Sequence, residues 1–215
     1  GWLNQQYAAA PTYEMNYLNW ISSKPMNEQI GQNNRQEAWF LGALGGPDPQ
    51  YPTNAAKNHT DQLRQRVAFA LSEIFVVSDN SSLGTYANGM AWYYDILSRD
   101  AFGNFRQLLN DVTLSPAMGM YLNMMGNQRA NSAMNIHPDE NYAREINQLF
   151  SIGLVMLNQD GSVQLDSGGN PIPTYTQNTV TNFAHVFTGW NWSDCDLNSD
   201  GSTSDNFEYC GPDYP

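Results

Sequence analysis

Apolar residues recur at three- and four-residue spacing through most of the chain, a pattern that predicts amphipathic helices. The clearest stripe runs from Leu63 to Phe75, and Thr60 or Asp61 is placed to cap its helix. The predicted helices span residues 2–9, 13–21, 27–44, 60–78, 86–97, 102–114, 139–152 and 176–188, with a short helix starting at Pro116. The pattern therefore predicts a mainly α fold, a multi-helix orthogonal bundle.

Two short apolar segments, 154–157 and 162–165, flank Asn158-Gln159-Asp160-Gly161, a sequence typical of a hairpin turn. Gly153 is placed to end the preceding helix in the left-handed region. We therefore expect a small β-hairpin inserted into the helical fold, and no internal repeat is evident. The predicted organisation is a helical domain over residues 1–193 and an acidic loop over 194–215.

Composition excludes several classes of protein. The chain has 215 residues, of which 41% are hydrophobic and 13% aromatic, enough for one compact domain with a core. No stretch approaches the roughly 18 apolar residues that a transmembrane segment needs. The net charge of -12 and the lack of a basic patch argue against a nucleic-acid partner.

Polarity comes from amides more than from charges. Lys24 and Lys57 are the chain's lysines, and charged residues make up 14% of the chain, whereas Asn and Gln are abundant. A globular protein has about 25% charged residues. Amides and aromatic rings suit contacts with sugars or other neutral polar surfaces, although compositional drift in a secreted protein gives the same bias.

The chain has two cysteines, Cys195 and Cys210, in a segment rich in Asp, Asn, Ser and Gly. Their number and spacing exclude a CxxC redox pair and a four-cysteine zinc site. A structural disulfide is the simplest use of the pair, and it implies a periplasmic or extracellular location. The alternative is two reduced thiols in the cytosol.

The acidic tail resembles the start of a calcium-binding loop. Oxygen ligands alternate along Asp196-x-Asn198-x-Asp200 before Gly201, the arrangement that places ligands around a Ca²⁺ ion. Phe207 stands where the closing glutamate is expected, and Glu208 follows one residue late. The predicted ligands are Asp194, Asp196, Asn198, Asp200, Asp205 and Glu208. The alternative is a solvated loop without a metal.

Charged residues also lie beside the apolar stripes of two helices. Glu140 and Glu145 are candidates for a general acid and base, with Arg66 or Arg144 as electrostatic support. The alternative is structural, a network of Arg66, Glu73, Arg144 and Glu145 that fixes how the helices pack.

His137 and His185 are weak candidates for metal ligands, because no HxxxH or HExxH spacing supports them. No GxSxG motif and no glycine-rich phosphate loop is present.

Three ordered motifs carry a family resemblance: RVAFALSEIFVVS at 66–78, ENYAREINQLFSIG at 140–153 and FTGW at 187–190. Together they resemble the bacterial family catalogued as domain of unknown function 1800. The resemblance implies an exported, largely helical protein and no established reaction. It also implies a second helical half after FTGW, so we expect this chain to be the N-terminal part of a longer fold or to need a second chain.

Two functions are consistent with these observations. The first is an exported interaction or assembly module, stabilised by calcium, that contacts a protein or a polysaccharide. The second is a hydrolase or lyase that acts on an extracellular polymer through Glu140 and Glu145.

Overall fold

The computed structural model describes residues 1–24, 30–54 and 58–191, and over these ranges the chain is mainly helical, as predicted. Contacts divide the chain into two compact units that join between Tyr121 and Leu122. The helices are α1 (Trp2–Ala8), α2 (Glu14–Ser22), α3 (Gln32–Leu44), α4 (Gln62–Ser72), α5 (Ala87–Asp100), α6 (Phe105–Leu114), α7 (Pro116–Tyr121), α8 (Asn141–Gln148) and α9 (Gln177–Val186). None of the helices in the described ranges has the length and apolar character to span a membrane.

The predicted helix over 139–152 ends earlier than expected. α8 stops at Gln148, and the amides of Ile152 and Gly153 then donate to the carbonyl of Asn147 at 3.1 and 3.0 Å. These bonds join residues five and six positions apart, whereas α-helical bonds join residues four apart, so the helix ends here. Gly153 completes the turn at φ +74°, the left-handed geometry that was predicted for it.

The first unit is built around α5. Ala91, Tyr93, Ile96 and Leu97 are among its buried residues, and α2, α3, α4, α6 and α7 all pack against it. A helix buried on nearly all sides requires apolar residues around its whole circumference. Asp95 is the one carboxyl group among its buried residues.

The apolar stripe predicted for α4 is buried only in part, and the helix ends at Ser72, before Ile74 and Phe75. Phe75 is fully buried, but Ile74 is 45% exposed, and Gln65 and Ala68 are buried in place of other residues of the stripe. Hydrogen bonds explain the difference. The carboxylate of Asp61 accepts from the amide and hydroxyl of Thr12, both at 2.7 Å, and from Gln65 Nε2 at 3.0 Å. These bonds hold a polar edge of the helix inside the unit.

The second unit has its core between α8 and α9. The ring of Tyr142 is buried and makes edge contacts with Phe187, at a centroid distance of 5.0 Å, and with Phe150 at 6.2 Å. The buried Asn127 side chain donates to the carbonyls of Ala184 and Phe187 at 3.3 Å each, near the C-terminus of α9. Asn127 therefore satisfies helix-end acceptors that the core hides from water.

The β-hairpin predicted for 154–165 is wrong. Residues 154–174 contain no extended strand, only isolated antiparallel bridges: Val155↔Pro173, Leu157↔Val163 and Leu165↔Pro171. Three tripeptides, 155–157, 163–165 and 171–173, take part, and each is bridged to both of the others. A regular hairpin cannot form because each tripeptide divides its hydrogen bonds between two neighbours.

A ring of backbone hydrogen bonds closes this arrangement. Gln164 donates to Met156 O at 2.9 Å, Ile172 to Gln164 O at 3.0 Å, and Met156 to Ile172 O at 2.9 Å. These central residues lie eight positions apart, so the segment is an octad repeat that sequence inspection missed. The turn glycines Gly161 and Gly169 share φ +82° and are also eight residues apart.

One face of this ring is apolar. Residues opposite each other in an antiparallel bridge point to the same side, as do residues two apart in an extended segment. The face therefore carries Val155, Leu157, Val163, Leu165, Pro171 and Pro173, which we call the triangular platform. Leu157 and Leu165 are 53% and 57% exposed. The platform is thus held by backbone bonds and leaves its side chains at the surface.

Gly161 and Gly169 occupy equivalent positions of the octad repeat, so we expect the same substitution at either one to change stability by the same amount. A Cβ on Gly161 or Gly169 meets nothing within 4 Å, so Gly161→Ala and Gly169→Ala cost backbone strain alone. We expect each to lower the free energy of unfolding by about 1–2 kcal/mol in denaturant titrations. Gly161→Asn is the matched control, because Asn tolerates the left-handed region. Equal losses for Gly161→Ala and Gly161→Asn would contradict this account.

Candidate functional site

The acidic tail lies outside the described residues. This applies to Cys195 and Cys210 and to the predicted calcium ligands Asp194, Asp196, Asn198, Asp200, Asp205 and Glu208. Calcium binding and the disulfide therefore stay predictions. Within residues 1–24, 30–54 and 58–191, no group of three or more His, Cys, Asp or Glu side chains is placed to hold a metal ion.

The structure brings Glu140 together with Arg144. Glu140 Oε2 accepts from Arg144 Nη2 at 2.9 Å and from Gln177 Nε2 at 2.8 Å, and Oε1 accepts from Thr181 Oγ1 at 2.8 Å. The hydrogen bond from Gln177, followed by that from Thr181, lowers the pKa of Glu140. Glu140 is thus held ionised between α8 and α9, which suits a structural clamp and not a general acid.

The other predicted catalytic residues do not complete an acid–base pair. Glu145 is half-buried on α8, and its Oε2 atom is buried with no hydrogen-bond partner in the described part of the chain. Arg66 and Glu73 are both exposed, and neither makes an ion pair with a described residue. The expected four-residue network is therefore not formed, since Arg144 pairs with Glu140.

His137 and His185, the two histidines considered as metal ligands, are not grouped with other metal-binding side chains in the described ranges. His137 is exposed, with Nε2 3.4 Å from Asn135 Oδ1. His185 is exposed in the last turn of α9. Neither belongs to a candidate metal cluster in the described ranges.

A buried acidic cluster, absent from the sequence predictions, lies where α2, α3 and α5 meet. Asp95 of α5 accepts hydrogen bonds from the amides of Glu14 at 2.7 Å and Met15 at 3.1 Å. Both amides belong to the first turn of α2, whose N-terminus has no capping side chain of its own. Asp95 therefore caps α2 from another helix, with its carboxylate at the positive end of the helix dipole.

This cap places the Glu14 side chain inside the unit. Glu14 is 4% exposed, and neither of its carboxyl oxygens has a hydrogen-bond partner among the described residues. Arg35 Nη1 lies 3.8 Å from Glu14 Oε2, while Nη2 pairs with Asp79 at 3.1 Å and Nε donates to Gln32 at 2.7 Å. One guanidinium therefore serves several acceptors.

Burial controls protonation in this cluster. Desolvation raises the pKa of Asp95 to about 8, although the amides of Met15 and Glu14 act in the opposite direction. Desolvation, with a further contribution from Asp95, raises the pKa of Glu14 well above 4.5, against the lowering effect of Arg35. Both shifts favour the neutral carboxyl form.

An aromatic cavity of about 440 Å³ lies beside Arg35. Trp39, Phe69 and Tyr94 contribute to its walls, and the Trp39 and Phe69 rings are 5.8 Å apart. Burial raises the pKa of Tyr94 to about 12, so its hydroxyl stays protonated. Glu14 does not line the cavity. The carboxyl groups that line it are those of Glu73 and Asp79, and Asp79 pairs with Arg35. Asp95 and Glu14 are absent from its walls, so their role is to fix three helices.

The triangular platform has an acidic border. Asp160 Oδ1 accepts from the hydroxyl of Ser162 at 2.6 Å and from its amide at 2.9 Å, and the hydroxyl bond is the largest cause of its lowered pKa. Asp166 Oδ1 accepts from the amides of Asn170 at 2.9 Å and Gly168 at 2.8 Å, which lower its pKa. Both carboxylates are thus fixed and ionised at the turns that join the platform's segments.

Signals for these features exist in the sequence. A single Asp within the buried run Trp92-Tyr93-Tyr94-Asp95-Ile96-Leu97 indicates an inward carboxyl that needs donors. The octads Val155-x-Leu157 and Val163-x-Leu165, each followed by an Asn or Asp and a turn glycine, indicate the platform.

A family model described as "Protein of unknown function (DUF1800)" matches residues 1–210. No curated protein and no solved structure matches the chain.

The buried carboxyls predict a pH dependence of stability. Their folded-state pKa values exceed their unfolded values, so the stability they contribute is full below about pH 4 and is lost as the pH rises towards 8. Glu14→Gln removes one such group without removing an accepted hydrogen bond. We expect the variant to show a shallower fall in unfolding free energy between pH 5 and 8, each group contributing at most about 1.4 kcal/mol per pH unit.

Denaturant titrations at successive pH values measure this slope. Asp160→Asn is the control, because the lowered pKa of Asp160 confines its effect to more acidic solutions. A slope for Glu14→Gln identical to that of the unmodified protein would show that the fold does not raise the pKa of Glu14.

Proposed function

The chain belongs to the DUF1800 family of unknown function, and we propose that it acts outside the cytosol as an interaction or assembly module. The observation that supports this proposal most strongly is the triangular platform. Its apolar side chains are exposed although the backbone beneath them is fixed by a closed ring of hydrogen bonds. Contiguous exposed apolar surface on an ordered scaffold is typical of sites that bind another macromolecule.

The proposed partner is a protein surface with apolar residues bordered by Lys or Arg. Asp160 and Asp166 border the platform, and residues 145–191 contain no Lys or Arg. A basic border complements these carboxylates and steers association. A second copy of this chain would bring like charges together, so charge argues against self-association through this face.

The alternative function is a carboxylate-dependent hydrolase or lyase. It needs an open cleft with facing carboxyl groups. Glu140 has its oxygens occupied by three donors, and Glu145 is absent from the walls of the cavities beside Arg35, beside α2 and around His137. No observation on α8 favours the alternative.

The extracytoplasmic location and calcium binding rest on the sequence of the tail. Cys195 and Cys210 suit a disulfide, and the alternating oxygen ligands from Asp196 to Asp200 suit Ca²⁺. We propose that the ion stabilises the module when the disulfide is formed.

Site-specific photo-crosslinking tests the platform. A photoreactive phenylalanine analogue at Val163 or Leu165 of the full-length protein, in the organism that encodes it, is expected to give a discrete adduct. Its yield should fall when the salt concentration is raised, because the charged border is screened. Mass spectrometry is expected to find the crosslink in a partner segment of apolar residues flanked by Lys or Arg.

Two controls make this experiment decisive. The analogue at Trp2, which is 57% exposed in the first unit, reports nonspecific crosslinking. Leu157→Asp should abolish the adduct from Leu165. Adducts of equal yield from Trp2, an adduct unaffected by Leu157→Asp, or an adduct with a second copy would each contradict the proposal.

Chelation tests the calcium proposal. We expect no free thiols in the denatured, unreduced protein, and a melting temperature several degrees higher with saturating Ca²⁺ than with a chelator, as mass action requires for an ion bound only by the fold. Asp196→Asn with Asp200→Asn should remove the difference. Titratable thiols would contradict the disulfide, and equal melting temperatures would contradict the ion site.

A further inference from the structure

A second cavity, of about 330 Å³, lies in the first unit beside α2. Residues of the loop before α2, of the turn after α3 and of the segment before α4 complete its walls. Its volume is at the lower end of the range of about 300–1,000 Å³ that small-molecule sites occupy. Neither the function proposed above nor the sequence motifs account for this cavity.

Aromatic side chains form one wall. Tyr17 and Trp20 lie three residues apart on α2, and Tyr13 is the residue that immediately precedes the helix. The Tyr17 and Trp20 rings are 5.5 Å apart at 45°, and Lys24 Nζ occupies one face of the Trp20 ring, 4.0 Å from its centroid. The remaining ring surfaces can stack on the C–H faces of a ligand.

Amide side chains and one carboxylate form the polar part of the cavity lining. Asn16, Gln50 and Asn58 line the cavity together with Asp48, and its lining contains no Lys or Arg. The amide of Gln50 donates to Asp48 Oδ1 at 2.8 Å, which fixes the carboxylate. Amides both donate and accept hydrogen bonds, whereas the carboxylate accepts them. A lining with an acid and no cation disfavours phosphate, sulfate and uronate ligands.

His59 also lines the cavity, and its backbone is fixed by a bridge to Gly46, with an N–H···O distance of 2.8 Å. Its Nδ1 atom is buried and is therefore not accessible to a ligand in the cavity. The chemistry offered to a ligand is that of the aromatic wall and of the amides with Asp48.

We propose that this cavity binds a neutral saccharide. The aromatic wall takes the apolar faces of the sugar rings, and the amides and Asp48 take hydroxyl groups. The proposal is independent of the triangular platform, since it rests on other residues in the other unit.

Titration calorimetry with a fixed set of sugars tests the proposal on the full chain. The neutral probes are cellotetraose, maltotetraose, mannotetraose and N-acetylchitotetraose. Tetragalacturonic acid is the anionic comparison, and the fully deacetylated chitotetraose is the cationic one. We expect at least one neutral probe to bind more tightly than both charged probes.

Variants assign the binding to this cavity. Trp20→Ala is expected to weaken the best neutral probe about tenfold, equivalent to about 1.4 kcal/mol. Asn16→Ala, at an exposed position, is expected to weaken it several-fold without a change in fold. Trp2→Ala is the matched control and should bind as the unmodified protein does.

The proposal is overturned if no neutral probe binds, if a charged probe binds more tightly than every neutral one, or if Asn16→Ala and Trp2→Ala give the same affinity. Circular dichroism of each variant separates lost binding from lost fold. If Trp20→Ala is unfolded, the affinity of Asn16→Ala compared with that of Trp2→Ala is sufficient to test the proposal.

Discussion

The hydrogen bonds from the first turn of α2 to Asp95 are the constraint on which the first unit depends. Because the acceptor belongs to the central helix α5, the cap fixes the start of α2 against the core and forces Glu14 inwards. A buried carboxyl of this kind is tolerated by protonation or by pairing, and Glu14 has both a raised pKa and Arg35 nearby. Helix α3 carries Arg35, so its position beside α2 places a guanidinium next to the buried Glu14 carboxyl.

In the second unit, backbone hydrogen bonds hold the triangular platform together. Its octads are too short for a regular sheet, yet the amide and carbonyl at the centre of each tripeptide are paired within a closed ring. Since this ring needs no contribution from side chains, the six apolar residues of the triangular platform need not be buried to keep it folded. Exposed apolar residues that are not required for stability are best explained by contact with a partner.

Local periodicity was sufficient to predict most helices and the left-handed conformation of Gly153, because these features depend on neighbours within a few residues. Periodicity failed where hydrogen bonds between residues far apart in the sequence determine which side chains are buried. The inward edge of α4 depends on Thr12, and the cluster at Asp95 joins residues about 80 positions apart. The hairpin prediction failed because pairwise reasoning does not anticipate a third segment that shares the hydrogen bonds.

The candidate surfaces differ in chemistry and lie in separate units. The cavity beside α2 offers rings, amides and an acid to a neutral polar ligand, whereas the triangular platform offers apolar side chains within an acidic border. A chain with both can hold a polymer at one surface and a protein at the other. Because the units are covalently joined, the chain would bring the two partners together without any structural coupling between the surfaces. An assembly role therefore requires no catalytic group, which is consistent with a buried acidic cluster that contributes to the fold and offers no carboxyl group to a ligand.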